Sequence, residues 1–206
     1  EAAQKDGRFV DEIAKLTVKQ RKKEVVVDTD EHVRPGVTLK DLQKLRPVFR
    51  PENGSVHAGN SSGITDGGAA LVLMPESEVT RRGLTPLAWL GASATAGVSP
   101  RIMGLGPVPA VKKLCDRTGR TLDDYDLFEL NEAFAAQVLA CLHDLPISRD
   151  KLNVNGGAIA LGHPIGATGA RIVVTLVHEL ARRGHKRGLA SLCMSGGMGM
   201  AMEFER

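Results

Sequence analysis

The sequence predicts a layered α/β fold in which helices cover a sheet of largely buried strands. From about residue 85, short apolar segments alternate with longer segments whose apolar residues recur every three or four positions, which is the pattern of interleaved strands and helices. Hydrophobic residues make up 42% of the chain and charged residues 25%, as in ordinary globular domains. Aromatic residues make up only 3%, so the core is expected to be aliphatic.

The first 63 residues predict a loop-rich region without a core of its own. They are charged and irregular, with an apolar piece at residues 25–27 and turn sequences at residues 34–36 and 52–54. Further on, residues 71–74 predict a short buried strand. Residues 76–82 predict a helical turn that ends at Gly83.

The predicted α/β pattern begins with a strand at residues 87–96. The next helix is expected to begin near Pro107, because proline suits a first helical turn, and to end before Gly119. Its apolar face carries Val111, Leu114 and Cys115. Residues 125–130 predict a second strand, which ends at Asn131.

The rest of the chain continues this alternation. The helix after Asn131 is expected to bury one stripe, made of Phe134, Val138, Cys141 and Leu142; on this basis Cys115 and Cys141 are both predicted to be core residues. Residues 152–155 predict a third strand, and Thr168 is expected to cap the helix that follows. The apolar repeat of that helix is Ile172, Leu176 and Leu180. Residues 188–193 and 199–204 predict two final strands around a glycine-rich turn.

Charge and composition argue against several classes of function. The formal net charge is only +3. The one basic run is Lys19, Arg21, Lys22 and Lys23. Acidic residues follow this run at once and no aromatic residues flank it, so it predicts a solvated surface and no nucleic-acid partner. No run of about 18 apolar residues predicts a membrane span. His178 and His185 lie too far apart for a ligand pair, so no metal site is expected.

Cysteine usage points to a reducing compartment. The three cysteines show no regular spacing and no disulfide framework, so we expect a cytoplasmic protein. The chain starts at Glu1 with neither a Met nor a signal-peptide core. Its first residues are typical of the middle of a helix in a longer protein.

Reactive side chains stand where predicted strands end, which is where α/β folds carry their sites. The segments concerned begin at Asn131, Asn155 and Cys193. His163 lies between Gly162 and Pro164 in a glycine-rich loop, and its imidazole can exchange protons near neutral pH. It is therefore a candidate acid–base residue, and the alternative is a loop histidine whose hydrogen bonds are local.

Cys193 precedes the sequence Met-Ser-Gly-Gly-Met-Gly. Backbone N–H groups of such a turn can favour a thiolate and can hold a developing oxyanion. The alternative is a small buried apolar residue. The residues alone leave both interpretations open.

Together these segments resemble the thiolase family, in the family's order and over essentially the whole chain. The most specific stretch is NVNGGAIALGHPIGATGAR at residues 153–171. The resemblance implies the thiolase fold, with a C-terminal layered α/β half and the end of a loop domain. It also implies that His163 deprotonates a nucleophilic cysteine and that Cys193 exchanges the α-proton of acetyl-CoA. Asn131 would hold a water that forms an oxyanion hole with His163.

The resemblance also implies a coenzyme A site, with CoA thioesters as substrates and no permanently bound cofactor. Arg34 would meet the CoA phosphates and Phe49 would pack on the pantetheine or adenine part. Ala58 and Ser62 would hydrogen-bond the pantetheine arm. The acyl pocket would be bordered by Met103 and Phe134. From the residues alone, Arg34 could equally be a solvated turn residue, and Phe49 and Met103 could be plain core.

By resemblance, residues 1–63 end the CoA-binding loop domain, residues 64–84 end the N-terminal half, and residues 85–206 form the C-terminal domain. The family's acylated cysteine lies in the N-terminal half, and neither Cys115 nor Cys141 has the loop context to replace it. The expected partners are therefore that half, which the same or a second chain would supply, and further copies in a homodimer or homotetramer. One departure from biosynthetic thiolases is Ser195, which stands where they carry Gly.

The activity that the resemblance implies is acetyl-CoA C-acetyltransferase, which condenses two acetyl-CoA to acetoacetyl-CoA and cleaves it again. This chain by itself is expected to be inactive. A degradative 3-ketoacyl-CoA thiolase of fatty-acid β-oxidation is the alternative enzyme. A ketoacyl synthase would be expected to carry a histidine in place of Cys193. A non-catalytic CoA-binding piece is the alternative of another class.

Overall fold

The computed structural model describes residues 1–21 and 23–206. The helices are α1 (Ala2–Lys5), α2 (Leu39–Leu42), α3 (Glu76–Arg82), α4 (Pro107–Thr118), α5 (Ala135–Asp144), α6 (Ala158–Leu161) and α7 (Thr168–Arg183). The strands are β1 (Leu16–Gln20), β2 (Lys23–Val27), β3 (Trp89–Gly97), β4 (Leu127–Leu130), β5 (Arg187–Met194) and β6 (Met198–Glu205). Short 3-10 turns span Ala58–Asn60, Pro100–Leu105 and Leu122–Asp124.

A four-stranded mixed sheet organises the C-terminal part, in the order β3-β6-β5-β4. Strand β6 runs antiparallel to both β3 and β5, whereas β4 and β5 are parallel. Every residue of β4 is buried, as expected of a strand that is covered on both faces. The predicted α/β fold is confirmed.

Two apolar clusters lie on the two faces of this sheet. One joins α4 and α5 to alternate strand residues such as Phe128 and Leu189. The other joins α7, through Ile172, Leu176 and Leu180, to Leu127 and Ala190 on the opposite face. Successive strand residues therefore face opposite layers, and the core is mainly aliphatic, as the composition predicts, with Tyr125, Phe128 and Phe204 as its aromatic members.

The predicted helix ends at Gly83 and Gly119 are confirmed, and Gly184 ends α7 in the same way. Gly83, Gly119 and Gly184 follow α3, α4 and α7 in the left-handed conformation, with φ of 61°, 70° and 65°. Each N–H bonds back to a carbonyl of the last turn, so glycine terminates the helix without steric cost. Strands β3 and β4 begin two residues later than predicted, at Trp89 and Leu127.

The predicted buried strand at residues 71–74 is wrong. These residues lie in extended chain without a paired strand among the described residues, and Val72 is 86% exposed. A strand needs a neighbour to satisfy its backbone groups, and this segment has none in the part of the chain that the structure describes.

The predicted strand at residues 152–155 is reduced to two isolated bridges, one between Phe128 and Leu152 and one between Val154 and Gly156. Asn153 takes a left-handed conformation with φ of 45°, which ends the extended backbone. Its side chain substitutes for strand pairing, because its Oδ1 accepts from the Leu130 N–H and its Nδ2 donates to the Leu130 carbonyl, both at 2.8 Å. An asparagine tolerates this conformation better than most residues.

Three smaller predictions need correction. Phe134 lies just before α5 in extended conformation and pairs with Ser61, so it is not part of the helical stripe. Cys141 is buried as predicted, but Cys115 is only half-buried at the rim of the core. Thr168 does not cap α7 from outside the helix; it is the first helical residue.

The loop-rich N-terminal region contains the exposed β1–β2 hairpin. Lys19, Arg21 and Lys23 are exposed there, which confirms the predicted solvated surface; Lys22 lies outside the described residues. No helix within residues 1–21 and 23–206 is long and apolar enough to cross a bilayer. The same residues contain no group of three or more metal-binding side chains.

Candidate active site

The loop that carries His163 is fixed by its backbone. It passes through α6 and then through Gly162, which has a φ of 95°. Thr65 packs against Gly162 in the space that a side chain at this position would need. The N–H of His163 donates to the Gly63 carbonyl at 2.8 Å, and Ile64 pairs with His163 in a parallel bridge. The end of the N-terminal region thus clamps the candidate base against the C-terminal domain.

The imidazole of His163 has a partner at each ring nitrogen. Its Nδ1 lies 2.6 Å from Thr168 Oγ1, and its Nε2 lies 3.4 Å from Asn131 Nδ2. Burial, and to a lesser degree the charge of Arg171, lowers the pKa of His163. A neutral imidazole is the form that can accept a proton at neutral pH.

Asn131 follows β4 directly and is 1% exposed. Its N–H donates to the Ser191 carbonyl at 2.9 Å, which continues the pairing of β4 with β5. Its Oδ1 is buried and lacks a hydrogen-bond partner among the described residues. Buried polar atoms are rarely left unpaired, so this oxygen fits a bound water or substrate donor.

Cys193 lies near the end of β5, two residues beyond Ser191, so it lies at the same edge of the sheet as Asn131. Burial raises the pKa of the Cys193 thiol. Loss of hydration outweighs the backbone hydrogen bond that lowers the pKa of this thiol. The protonated thiol is the form that donates a proton.

The turn after Cys193 exposes donors at its tip. Gly196 and Gly197 have φ of 88° and 93°, and a side chain at Gly197 would meet the Val98 carbonyl. Within the described residues, neither Ser195 nor Gly196 donates its N–H to a backbone carbonyl. Ser195 itself is exposed, so its side chain does not disturb the packing of the turn.

The predicted CoA-site residues are only partly brought together. The ring of Phe49 is 68% exposed and meets Phe134 edge to face at 5.9 Å, so it is not core. Arg34 is exposed in a loop, and Ala58 is exposed at the start of the 3-10 turn Ala58–Asn60. Ser62 is tied down instead, because its N–H and its hydroxyl both donate to the Ala133 carbonyl at 3.1 Å.

Met103 is half-buried in the 3-10 turn before α4. It is therefore not plain core. The pairing of Ser61 and Ser62 with Ala133 and Phe134 holds the N-terminal loop beside the Asn131 segment. Phe134, which is predicted to border the acyl pocket, is thus in contact with Phe49, which is predicted to pack on the CoA.

Sequence reasoning missed the role of Glu132, which follows Asn131. Its carboxylate accepts from the Ile159 N–H at 3.1 Å and from Asn153 Nδ2 at 3.2 Å. A side chain at Gly157 would collide with this carboxylate. Glu132 therefore holds the start of α6, and with it the loop of His163, against the end of β4. In the sequence, the features that point to this role are the acidic residue directly after Asn131 and the Gly156-Gly157 pair.

A second anchor holds the same loop from α7. Asn155 Nδ2 donates to Glu179 Oε2 at 2.9 Å, and Glu179 is also paired with Arg8, Arg182 and Arg183. These charges pair a carboxylate that is 1% exposed, as burial of a charge requires. The histidine loop is therefore fixed on both sides.

This geometry provides a neutral base, an unpaired amide oxygen and a protonated thiol on one edge of a sheet. Comparisons with known proteins identify the family of the chain. The family description "Thiolase, C-terminal domain" matches residues 84–206, and "Thiolase, N-terminal domain" matches residues 1–77.

Among its relatives, the chain is 55% identical to an acetyl-CoA acetyltransferase of Paracoccus denitrificans, over 100% of this chain and 52% of that protein. The Bacillus anthracis acetyl-CoA acetyltransferase superposes with a TM-score of 0.97 at 51% identity, covering 99% of this chain and 52% of that one. Human mitochondrial 3-ketoacyl-CoA thiolase in complex with CoA gives 0.89 at 44% identity, covering 99% and 50%.

The chain belongs to the thiolase family. It spans about half the length of the relatives it matches, and the thiolase fold expected for it is confirmed.

Proposed function

We propose that this chain is the C-terminal part of an acetyl-CoA C-acetyltransferase. The complete enzyme would condense two acetyl-CoA to acetoacetyl-CoA and CoA, and would run the thiolytic cleavage in reverse. The observation that carries the proposal is the pairing of His163 Nε2 with Asn131 at the sheet edge that also bears Cys193.

In the first step, His163 would accept the proton of a cysteine thiol from the N-terminal half. The thiolate would attack acetyl-CoA and form an acetyl-enzyme, and the departing CoA thiolate would take the proton of the Cys193 thiol. The lowered pKa of His163, caused mainly by burial, supports this role because it keeps the imidazole neutral. A positioned general base typically contributes 10²–10⁴-fold to the rate.

In the second step, Cys193, now a thiolate, would remove the α-proton of a second acetyl-CoA, and the resulting enolate would attack the acetyl-enzyme. The N-terminal cysteine released as a thiolate would then take back the proton held by His163. Asn131, through a water, and His163 would stabilise the enolate oxygen. In the direction of cleavage, the Cys193 thiol would return its proton to the leaving carbanion. Burial raises the thiol pKa, which favours this donor form.

The CoA thioester would lie along the N-terminal region. Arg34 is exposed and free to meet phosphates, while Phe49 and Phe134 offer an aromatic wall for the pantetheine arm or the acyl group. Ala58 would hydrogen-bond the pantetheine through its backbone, and Ser62 would accept from it, since its proton is used on Ala133. A thiolase of known structure binds CoA.

The remaining parts of the proposal concern the whole protein. We assign residues 1–63 to the CoA-binding loop domain, 64–84 to the end of the N-terminal half and 85–206 to the C-terminal domain. We also propose a cytoplasmic homodimer or homotetramer that needs no permanent cofactor.

A longer-chain 3-ketoacyl-CoA thiolase is the second candidate, because a human enzyme of that name has the same fold. The test is a chain-length profile of cleavage by the complete enzyme. We expect kcat/KM to be highest for acetoacetyl-CoA and to fall with longer 3-ketoacyl chains. A profile that rises with chain length would replace the short-chain assignment by the degradative one. Turnover of none of them would contradict both.

A further inference from the structure

We infer that Thr168 is a positioning residue that holds His163 in the tautomer protonated at Nδ1. Nε2 then carries the free lone pair and is the basic atom of the site. This inference deepens the proposed function and rests on it for its kinetic consequence, but the tautomer itself can be measured without turnover.

The Thr168 hydroxyl has too few protons to donate to both of its neighbours. A threonine hydroxyl has one proton to donate and lone pairs to accept with. Thr168 Oγ1 lies 2.9 Å from the Pro164 carbonyl, in donor geometry, and 2.6 Å from His163 Nδ1. If the proton points to the carbonyl, which can only accept, the bond to the ring requires a proton on Nδ1.

Asn131 contacts the other ring nitrogen of His163, Nε2. The Pro164 carbonyl also accepts the N–H groups of Ala167 and Thr168, so Thr168 alone leaves open an arrangement in which its hydroxyl donates to Nδ1. Asn131 decides between the two. Its Nδ2 faces Nε2 at 3.4 Å, and an amide nitrogen can only donate. A proton on Nε2 would set two donors against each other.

The placement of Thr168 makes this contact rigid. Thr168 is the first residue of α7 and is 1% exposed. The helix behind it is anchored in the core through Ile172 and Leu176. The position of the hydroxyl is therefore fixed by the helix, and its contact with Nδ1 restricts rotation of the imidazole.

A hydroxyl also differs from the carboxylate that often orients a histidine. A carboxylate at Nδ1 would favour the imidazolium and raise the pKa of the ring. Thr168 brings no charge, and neither do Asn131 from the end of β4 or Gly63 from the N-terminal loop. Arg171, on the same helix as Thr168, is the charged group that shifts the ring, and it acts with burial to lower the pKa of His163. The arrangement orients a base and keeps it neutral.

The test uses three variants of the complete enzyme. Thr168→Val keeps the shape of the side chain and removes the hydroxyl, whereas Thr168→Ser keeps the hydroxyl. Thr175→Val is the matched control, because Thr175 is on the same helix, is equally buried at 1% exposed, and bonds to Glu12 rather than to the histidine.

The direct readout is the ¹⁵N spectrum of histidine-labelled enzyme without substrate, in which protonated and unprotonated ring nitrogens are well separated. We expect Nδ1 protonated in the wild type, in Thr168→Ser and in Thr175→Val, and loss of that preference in Thr168→Val. A wild-type ring protonated at Nε2, or an unchanged spectrum in Thr168→Val, would overturn the inference.

The kinetic readout follows acylation by acetyl-CoA. Removing an outer hydrogen-bond partner of a functional histidine costs about 10- to 100-fold in metal sites, and we expect a fall of that size in the acylation rate of Thr168→Val, with KM unchanged and rescue by Thr168→Ser. Should the tautomer change without any change in acylation, the proposed role of His163 would fail while the orienting role of Thr168 stands.

Discussion

Glu132 should control how firmly the histidine loop is held, and Glu132→Ala tests this. The change removes the acceptor of the Ile159 N–H at 3.1 Å and of Asn153 Nδ2 at 3.2 Å. Hydrogen bonds to a charged group contribute about 1.5–3 kcal/mol each. Since Glu132 is half-buried, we discount the sum to about 2–3 kcal/mol for local opening of the loop.

Hydrogen exchange followed by mass spectrometry measures this opening. About 2–3 kcal/mol corresponds to roughly 30- to 150-fold faster exchange, and we expect it in peptides that cover residues 157–164. Peptides from α4 serve as an internal reference. Glu78→Ala is the control variant, because among the described residues the Glu78 carboxylate bonds to the surface arginines Arg81 and Arg82 and not to the histidine loop. If residues 157–164 exchange equally fast in Glu132→Ala and wild type, Glu132 does not hold the loop.

Two further predictions concern chemistry and pH. Cys193→Ala should lower the rate of condensation by about 10²–10⁴-fold. Acylation of the N-terminal cysteine should remain detectable by mass spectrometry. A near-normal rate of condensation would mean that another group removes the α-proton. Arg171→Gln should raise the pKa of His163, because the charge that helps to lower it is removed and the imidazolium then costs less. The acidic limb of the pH–rate profile for acylation should move to higher pH, and an unchanged limb would show that Arg171 does not act on the base.

The sequence predicted the layers of the fold well, because helix ends and buried strands have local signals. Gly83 and Gly119 ended helices as expected, and β4 lies within the predicted strand at residues 125–130. It failed where the outcome depends on neighbours. Residues 71–74 have the composition of a strand but no partner in the described chain, and Asn153 ended a strand by using its own side chain as the partner.

The candidate site was located through its motifs, and the structure shows how its parts are arranged. His163 and Asn131 meet, although 32 positions separate them, because α6 and the Asn153 turn return the chain to the end of β4. Thr168 was expected to cap a helix, and its hydroxyl instead contacts the imidazole. That contact could not be deduced from capping preferences, since they describe a helix alone and not the loop that packs on it.

The most direct test of the central claim compares this 206-residue chain alone with the same chain paired with a thiolase N-terminal half. The N-terminal half of the Paracoccus denitrificans relative is suitable, because this chain is 55% identical to the remainder. Cleavage of acetoacetyl-CoA is measured in both preparations, and mass spectrometry confirms the chains present. We predict no turnover by the chain alone, since it supplies the base, Asn131 and Cys193 but no nucleophile, and turnover once the N-terminal half is added. Robust turnover by the pure 206-residue chain would contradict the account and would place the nucleophile among Cys115, Cys141 and Cys193.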